Sequence, residues 1–116
     1  MIFDNGFERP DGERSRAVRY EIDDSDPDNV TARQVWEYEY TLDGEPSYSA
    51  FLGDADVLEN GDVLISGGGS SVVQIVEVAP ADGPSGGEVV FEYREIDDPV
   101  FGIISYRAER IAPLGR

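Results

Sequence analysis

The sequence predicts an all-β fold. Apolar and polar residues alternate along several short segments, and no segment keeps a helical period over three turns. The 13 Gly and 7 Pro interrupt the chain at short intervals, which is typical of short strands joined by turns. Val, Ile, Tyr and Phe fill the alternating segments, and these residue types favour the packed surface of a sheet.

One strand pair occurs twice in altered form. An alternating strand, a polar turn and an aromatic strand appear first around Tyr20 and Trp36 and again around Val76 and Phe91. Tyr20 and Val76 lie 56 residues apart, and Trp36 and Phe91 lie 55 apart. Short strands that recur at a fixed spacing are typical of propeller blades. We therefore predict antiparallel four-stranded blades of a β-propeller, about two of them, and so an incomplete ring.

The repeated strand pair also indicates where the chain divides into structural units. We predict one partial propeller domain over all 116 residues, in which residues 1–50 form the first blade and residues 51–97 the second. Residues 98–116 then form a terminal strand and tail. Residues 3–6 match residues 65–68, the end of the hairpin that opens the second unit. The first blade is therefore expected to lack its first strand, which leaves a strand edge unpaired.

The first unit begins with a short apolar stretch at residues 2–3, which runs into a turn signal at residues 4–6. Residues 16–23 alternate strictly, which predicts a half-buried strand with Val18, Tyr20 and Ile22 on its buried side.

The next predicted strand is rich in aromatic residues. Residues 33–41 place Trp36, Tyr38 and Tyr40 along one face, and residues 42–49 are expected to form a loop. Such a row of rings suits either a core packed between blades or a platform for a phenol or sugar, and packing is the favoured interpretation.

The second unit opens with a hairpin. Residues 55–58 and 62–66 are predicted strands around Asn60-Gly61, a pair that tolerates the positive φ angles of a tight turn. The remaining predicted strands are residues 73–79, 89–93 and 101–111.

The charge is strongly acidic. With 25 Asp and Glu, nine Arg and no Lys, the net charge is −16. Nucleic acid is excluded as a partner, because its binding relies on cationic patches that neutralise phosphates. The acidity favours solubility, including solubility at high salt.

Cysteine and histidine are both absent from the sequence. Disulfides, thiolate metal sites and cysteine nucleophiles are therefore excluded, no cofactor is predicted, and acid–base chemistry would need a shifted carboxylate or Tyr. The N-terminus has no signal-peptide pattern, and no apolar run is long enough to cross a membrane. We expect a soluble protein with no membrane partner, cytoplasmic if Met1 is the natural start.

Several short motifs follow one another in a familiar order. They are Phe3-Asp4-Asn5-Gly6, Ser15-Arg16-Ala17-Val18, Tyr20-Glu21-Ile22-Asp23, Val35-Trp36-Glu37-Tyr38, Leu58-Glu59-Asn60-Gly61-Asp62-Val63-Leu64-Ile65, Glu88-Val89-Val90-Phe91-Glu92 and Tyr106-Arg107-Ala108-Glu109-Arg110. With them the chain resembles the C-terminal portion of the arylsulfotransferase-like β-propeller family, about a third of a typical member. The resemblance implies a six-bladed propeller that transfers sulfuryl groups between phenols through a sulfated histidine.

The resemblance also suggests binding residues. Asp4 and Asn5 fall in a motif near the ring's centre, and Arg16 and Arg107 fall in motifs where a guanidinium group suits a sulfate oxygen. The alternatives are an ordinary Asn-Gly turn for Asp4 and Asn5, and arginines paired with nearby carboxylates.

The transfer chemistry itself does not carry over. The family's Gln-His-Asp-Ala stretch would precede Met1, and its counterpart in the second unit, Gly53-Asp54-Ala55, has no histidine. The catalytic residues are therefore unknown, and we expect the chain to be inactive by itself.

A weak metal-site pattern lies in the first unit. Asp24, Asp26 and Asp28 alternate as in calcium loops, but Asn29 stands where glycine is expected and Val35 where glutamate is expected. A solvated acidic turn is the alternative.

Two functional hypotheses remain. In the first, the chain is a C-terminal fragment or truncated relative of a sulfotransferase, whose partners are its missing blades and a phenolic or sulfated small molecule. In the second, it is a non-catalytic binding or assembly module that associates with itself. A third, a carboxylate-based hydrolase, finds no single pair of carboxylates to support it.

Overall fold

The computed structural model describes residues 1–68, 72–96 and 107–111, and these contain nine β-strands and no helix. The all-β prediction is confirmed. Within that part of the chain, no helix is long and apolar enough to cross a membrane. The strands are β1 (Ile2–Asp4), β2 (Arg16–Asp23), β3 (Thr31–Glu39), β4 (Thr41–Leu42), β5 (Glu45–Pro46), β6 (Asp54–Val57), β7 (Val63–Gly67), β8 (Val72–Pro80) and β9 (Gly87–Ile96).

The strands form three antiparallel sheets in sequence order. The N-terminal sheet has the order β1-β2-β3, the C-terminal sheet has the order β6-β7-β8-β9, and β4 pairs with β5. The predicted hairpin at Asn60-Gly61 is confirmed, since β6 and β7 pair on either side of it. In the N-terminal sheet β1 is an edge strand, whereas β6 covers the corresponding edge in the C-terminal sheet.

Residues 42–49 differ from the prediction of a loop. Thr41–Leu42 and Glu45–Pro46 pair around Asp43 and Gly44, whose φ angles are +54° and +82°. Two consecutive positive φ angles close the two-residue turn that joins antiparallel strands with the correct twist.

The predicted terminal strand is not formed where it can be checked. Residues 101–106 lie outside the described residues, and residues 107–111 have no regular structure. Ion pairs hold this segment to the C-terminal sheet instead, from Arg110 to Glu77 and from Arg107 to Asp54.

The N-terminal and C-terminal sheets pack against each other through one buried cluster. The small and branched residues of this cluster come mainly from the C-terminal sheet, and its large rings come from β3 and the residue directly after it. The cluster consists of Ala17, Trp36, Tyr40, Ala55, Val63, Ile65, Val76 and Val78.

Two aromatic side chains join the sheets. The Tyr40 hydroxyl donates to the main-chain oxygen of Gln74 at 2.9 Å, and the Trp36 indole donates to that of Gly86 at 2.9 Å. Tyr40 also meets the ring of Phe3 edge-on, with the centroids 6.0 Å apart. The aromatic row is thus core, as favoured from the sequence.

The predicted burial is wrong at the outer ends of the strands. Tyr20 and Ile22 are 38% and 68% exposed, and Phe91, the counterpart of buried Trp36, is 52% exposed. A bulge after Arg19 shifts the register there. Bulges bend and twist a strand pair, and both strands beyond this one are exposed on each face, so they lie outside the area of sheet contact.

Candidate functional site

The turn after β1 fixes the carboxylate of Asp4. The main-chain N–H of Gly6 donates to Asp4 Oδ1 at 3.0 Å. Gly6 has a φ of +77°, and a Cβ on it would lie 1.9 Å from the carbonyl oxygen of Arg14. Only glycine satisfies both conditions, so the Asp-Asn-Gly order serves this local geometry.

Asp4 and Arg16 are direct partners in the β1–β2 register. Arg16 Nε lies 2.9 Å from Asp4 Oδ2, and Arg16 Nη1 donates to Glu37 of β3. Burial acts to lower the pKa of Arg16, but the hydrogen bonds to Asp4 and Glu37 outweigh it and raise that pKa. The guanidinium is therefore already engaged by two carboxylates.

Asn5 ties the N-terminal sheet to the loop before β6. Its side-chain amide donates to the main-chain oxygens of Ser49 at 2.8 Å and Leu52 at 2.6 Å. Its own main-chain oxygen accepts from the Ser15 hydroxyl at 2.9 Å. Asn5 thus positions the chain around Asp4.

An open pocket of about 430 Å³ lies beside these residues. Asp4 and Asn5 supply its polar wall, whereas the rest is mostly apolar. Its lining residues are Ile2, Phe3, Asp4, Asn5, Gly6, Phe7, Val18 and Tyr20. We call it the Asp4 pocket.

Arg107 lies elsewhere. It pairs with Glu109 and approaches Asp54 of β6 at 3.9 Å, and it does not line the Asp4 pocket. Burial and the nearby charge of Asp56 raise the pKa of Asp54. The structure thus brings Asp4, Asn5 and Arg16 together and leaves Arg107 at a separate acidic cluster.

The predicted calcium-type residues lie in the exposed turn between β2 and β3. Asp26 accepts from the main-chain N–H of Asp28 at 3.1 Å, as in a local turn. Over residues 1–68, 72–96 and 107–111, no three His, Cys, Asp or Glu side chains are grouped to hold a metal ion. The site at Asp24, Asp26 and Asp28 stays a prediction without supporting geometry.

Sequence reasoning missed the role of Glu37. Its place beside Arg16 depends on the β2–β3 register, which the bulge shifts. The alternation of β2 and β3 was visible in the sequence, but which residues face each other across the sheet was not.

Comparison with known proteins identifies a family. A protein-family model described as Arylsulfotransferase (ASST) matches residues 1–101. No curated protein and no solved structure matches the chain significantly.

Proposed function

The chain belongs to the arylsulfotransferase (ASST) family, and from this premise we propose that it binds a phenolic compound in the Asp4 pocket without transferring a sulfuryl group by itself. The observation that carries the proposal is the pairing of Arg16 with Asp4 and Glu37 beside an apolar pocket. A cation flanked by two carboxylates is a poor receptor for a sulfate ester, because the negative charges of Asp4 and Glu37 oppose that of the sulfate.

A phenol suits this pocket better. Asp4 Oδ1 and Oδ2 each accept one hydrogen bond, from Gly6 and Arg16, and each carboxylate oxygen has a second lone pair. Asp4 can therefore also accept a phenolic hydroxyl, while the exposed side chains of Ile2 and Tyr20 contact the ring.

Transfer through a sulfated histidine, the mechanism that the resemblance implies, needs a side chain that this sequence does not contain. In this proposal the chain supplies about two blades and a recognition surface. A histidine for the transfer step would come from another chain or segment.

Matching bulges in the two larger sheets support their assignment as blades. The register shifts after Arg19 in β2–β3 and after Glu77 in β8–β9, positions 58 residues apart (77 minus 19). The sequence echo placed this strand at a spacing of 56. The two spacings differ by two residues. A shift of two residues along a strand leaves every side chain on its predicted face, so the alternation of residues does not reveal it.

A polar pair recurs beside each bulge. Arg16 lies three residues before the first bulge and bonds Glu37, and Gln74 lies three residues before the second and bonds Glu92 at 3.0 Å. Equivalent pairs at equivalent places are what two copies of one blade would share.

The proposal is tested by titrating the folded chain with phenol and with its methyl ether, anisole. We expect phenol to shift the main-chain amide resonances of residues 4–6, and Tyr20→Ala to weaken this binding severalfold. Tyr93→Ala, on the other sheet, is the matched control. Equal shifts with anisole, or equal binding by the Tyr20 and Tyr93 variants, would contradict the proposed site.

A second candidate function is assembly. Ile2, Phe7 and Ile22 are more than half exposed along the N-terminal sheet, and β1 is its edge strand. Edge strands with exposed apolar neighbours readily pair with another chain. Light scattering on a size-exclusion column would favour assembly if it gave a discrete multiple of 12.7 kDa. A monomer that persists on dilution would reject it.

A further inference from the structure

A second pocket lies on the face of the C-terminal sheet that points away from the N-terminal sheet. Its volume is about 330 Å³, and its walls come from β7, β8, β9 and residues 108–111. The sheet contributes Leu64, Ile75, Glu77, Phe91 and Tyr93. We call it the Glu77 pocket.

Glu77 is the charged residue that the sheet contributes to this pocket, and Glu109 and Arg110 contribute the other charges. Glu77 is 4% exposed, and its carboxylate is bound by Arg110 Nη1. A buried carboxylate needs a cationic or hydrogen-bonding partner, because its desolvation is otherwise costly. A positive charge next to Glu77 therefore stabilises the buried carboxylate.

Arg110 supplies this positive charge from a segment that belongs to no strand. Its side chain is 59% exposed, and residues 107–111 pair with no strand. The two other charged residues of this segment, Glu109 and Arg107, pair with each other. A diffusing cation can thus compete with Arg110 without breaking a strand ladder.

Two aromatic rings stand beside the carboxylate. Phe91 is the register partner of Glu77, and Tyr93 is the partner of Ile75, so both rings lie next to the β8 residues of the pocket. Both are about half exposed. Aromatic faces attract cations, and a net charge of −16 raises the local concentration of cations further.

We propose that the Glu77 pocket binds an organic cation with a flat apolar body, such as an arylamidinium, in place of Arg110. The cationic head pairs with Glu77, and the body lies against Phe91, Tyr93 and Leu64. This site is on a different sheet from the Asp4 pocket and does not depend on phenol binding.

Arg110 acts as a tethered competitor in this arrangement. A tethered group has a high effective concentration at its own site, so the unchanged chain binds the free cation weakly. Replacing Arg110 removes the competitor and leaves Glu77 without its cation. Affinity for an added cation should then rise.

The test is calorimetric and NMR titration at low salt with benzamidine, whose cation resembles an arginine head group, and with benzamide, its neutral counterpart. We expect Arg110→Gln to bind benzamidine about tenfold more tightly than the unchanged chain, with shifts at β8 and β9. Arg107→Gln, which removes the neighbouring arginine of the same segment, should give no such gain. Adding Glu77→Gln to the Arg110 variant should abolish binding.

Three results of the affinity measurements would overturn the proposal. They are equal affinity for benzamide and benzamidine, no gain in Arg110→Gln, or binding that survives Glu77→Gln. If the variants do not fold, the same pair of probes on the unchanged chain decides, since only benzamidine should then shift Tyr93. Shifts at residues 4–6 in place of β8 and β9 would move the cation to the Asp4 pocket and also reject the proposal.

Discussion

The hydroxyl of Tyr40 makes one of the hydrogen bonds that link the two larger sheets. The side chain is 1% exposed, and its hydroxyl donates to the main-chain oxygen of Gln74 at 2.9 Å. Tyr40→Phe removes this one oxygen and keeps the buried ring with its contact to Phe3. The substitution therefore separates the hydrogen bonding of the hydroxyl, to Gln74 and to the main chain of Gly67, from the apolar packing of the ring.

The expected loss of stability in Tyr40→Phe follows from the interactions that the substitution removes. The apolar burial of the ring is retained, so the loss is the hydrogen bonding of the buried hydroxyl. Such a loss costs about 1–2 kcal/mol in free energy of unfolding. For a domain of this size it corresponds to a fall in Tm of about 4–12 °C.

Alkaline pH supplies a second signature. Burial, the largest cause, raises the pKa of Tyr40 well above its ordinary value of 10.0. The folded state therefore holds this proton more tightly than the unfolded state does, and the stabilisation is complete below pH 10 and is lost as the pH rises above it. Tyr40→Phe has no such proton, so its deficit should shrink above pH 10.

Urea unfolding followed by the fluorescence of Trp36 measures the effect at fixed protein concentration. Tyr20→Phe is the matched control, because Tyr20 is partly exposed on the outer end of β2. A difference between the two variants below about 0.5 kcal/mol would refute the assigned role of the hydroxyl, since the expected loss is at least twice that.

Two further predictions concern stability. Gly67→Ala should lower the free energy of unfolding by about 1–3 kcal/mol in the same urea assay, since the added Cβ would lie 2.5 Å from the ring and hydroxyl of Tyr40. Unchanged stability would show that the surrounding residues shift to accommodate the methyl group. Asp54→Asn should stabilise the chain at pH 7, because burial and Asp56 raise the pKa of Asp54 and its ionisation opposes folding as the pH rises through that pKa. The gain in free energy of unfolding should be small, because Asp54 is partly exposed to solvent. It should vanish below pH 3.8, where the carboxyl is protonated in the unfolded chain as well. A gain that persists below that pH would have another cause.

Local patterns in the sequence predicted much of the fold. Strand β2 runs from Arg16 to Asp23 as the alternation indicated, and the Asn60-Gly61 turn joins the expected hairpin. The buried positions of Trp36 and Tyr40 followed from their spacing on one strand face. Each of these features depends on neighbours within a few residues, so the sequence displays it directly.

The candidate site depends on contacts that local patterns do not contain. Asn5 reaches Ser49 and Leu52, more than 40 residues away, and Arg16 meets Glu37 through a register that a bulge displaces. Sequence alone offered Arg16 as either a sulfate ligand or an ion-pair partner. Its contacts with Asp4 and Glu37 depend on how β1 and β3 pair with β2, which the sequence does not show.

The exposed ends of β2 and β9 illustrate a second limit. Ile22 and Phe91 lie on alternating strands, but each is more than half exposed. Alternation predicts which residues share a face. It does not tell how far the opposite sheet extends along the strand.

The most direct test of the account is a sulfuryl-transfer assay on the purified, folded chain, with 4-nitrophenyl sulfate as donor and phenol as acceptor. The account predicts no release of nitrophenol above that seen with heat-unfolded chain, because the chain has no histidine and Arg16 is held by Asp4 and Glu37. Release that scales with the amount of folded chain, with the sulfate recovered on phenol, would contradict the account and show that the chain has a transferring nucleophile of its own.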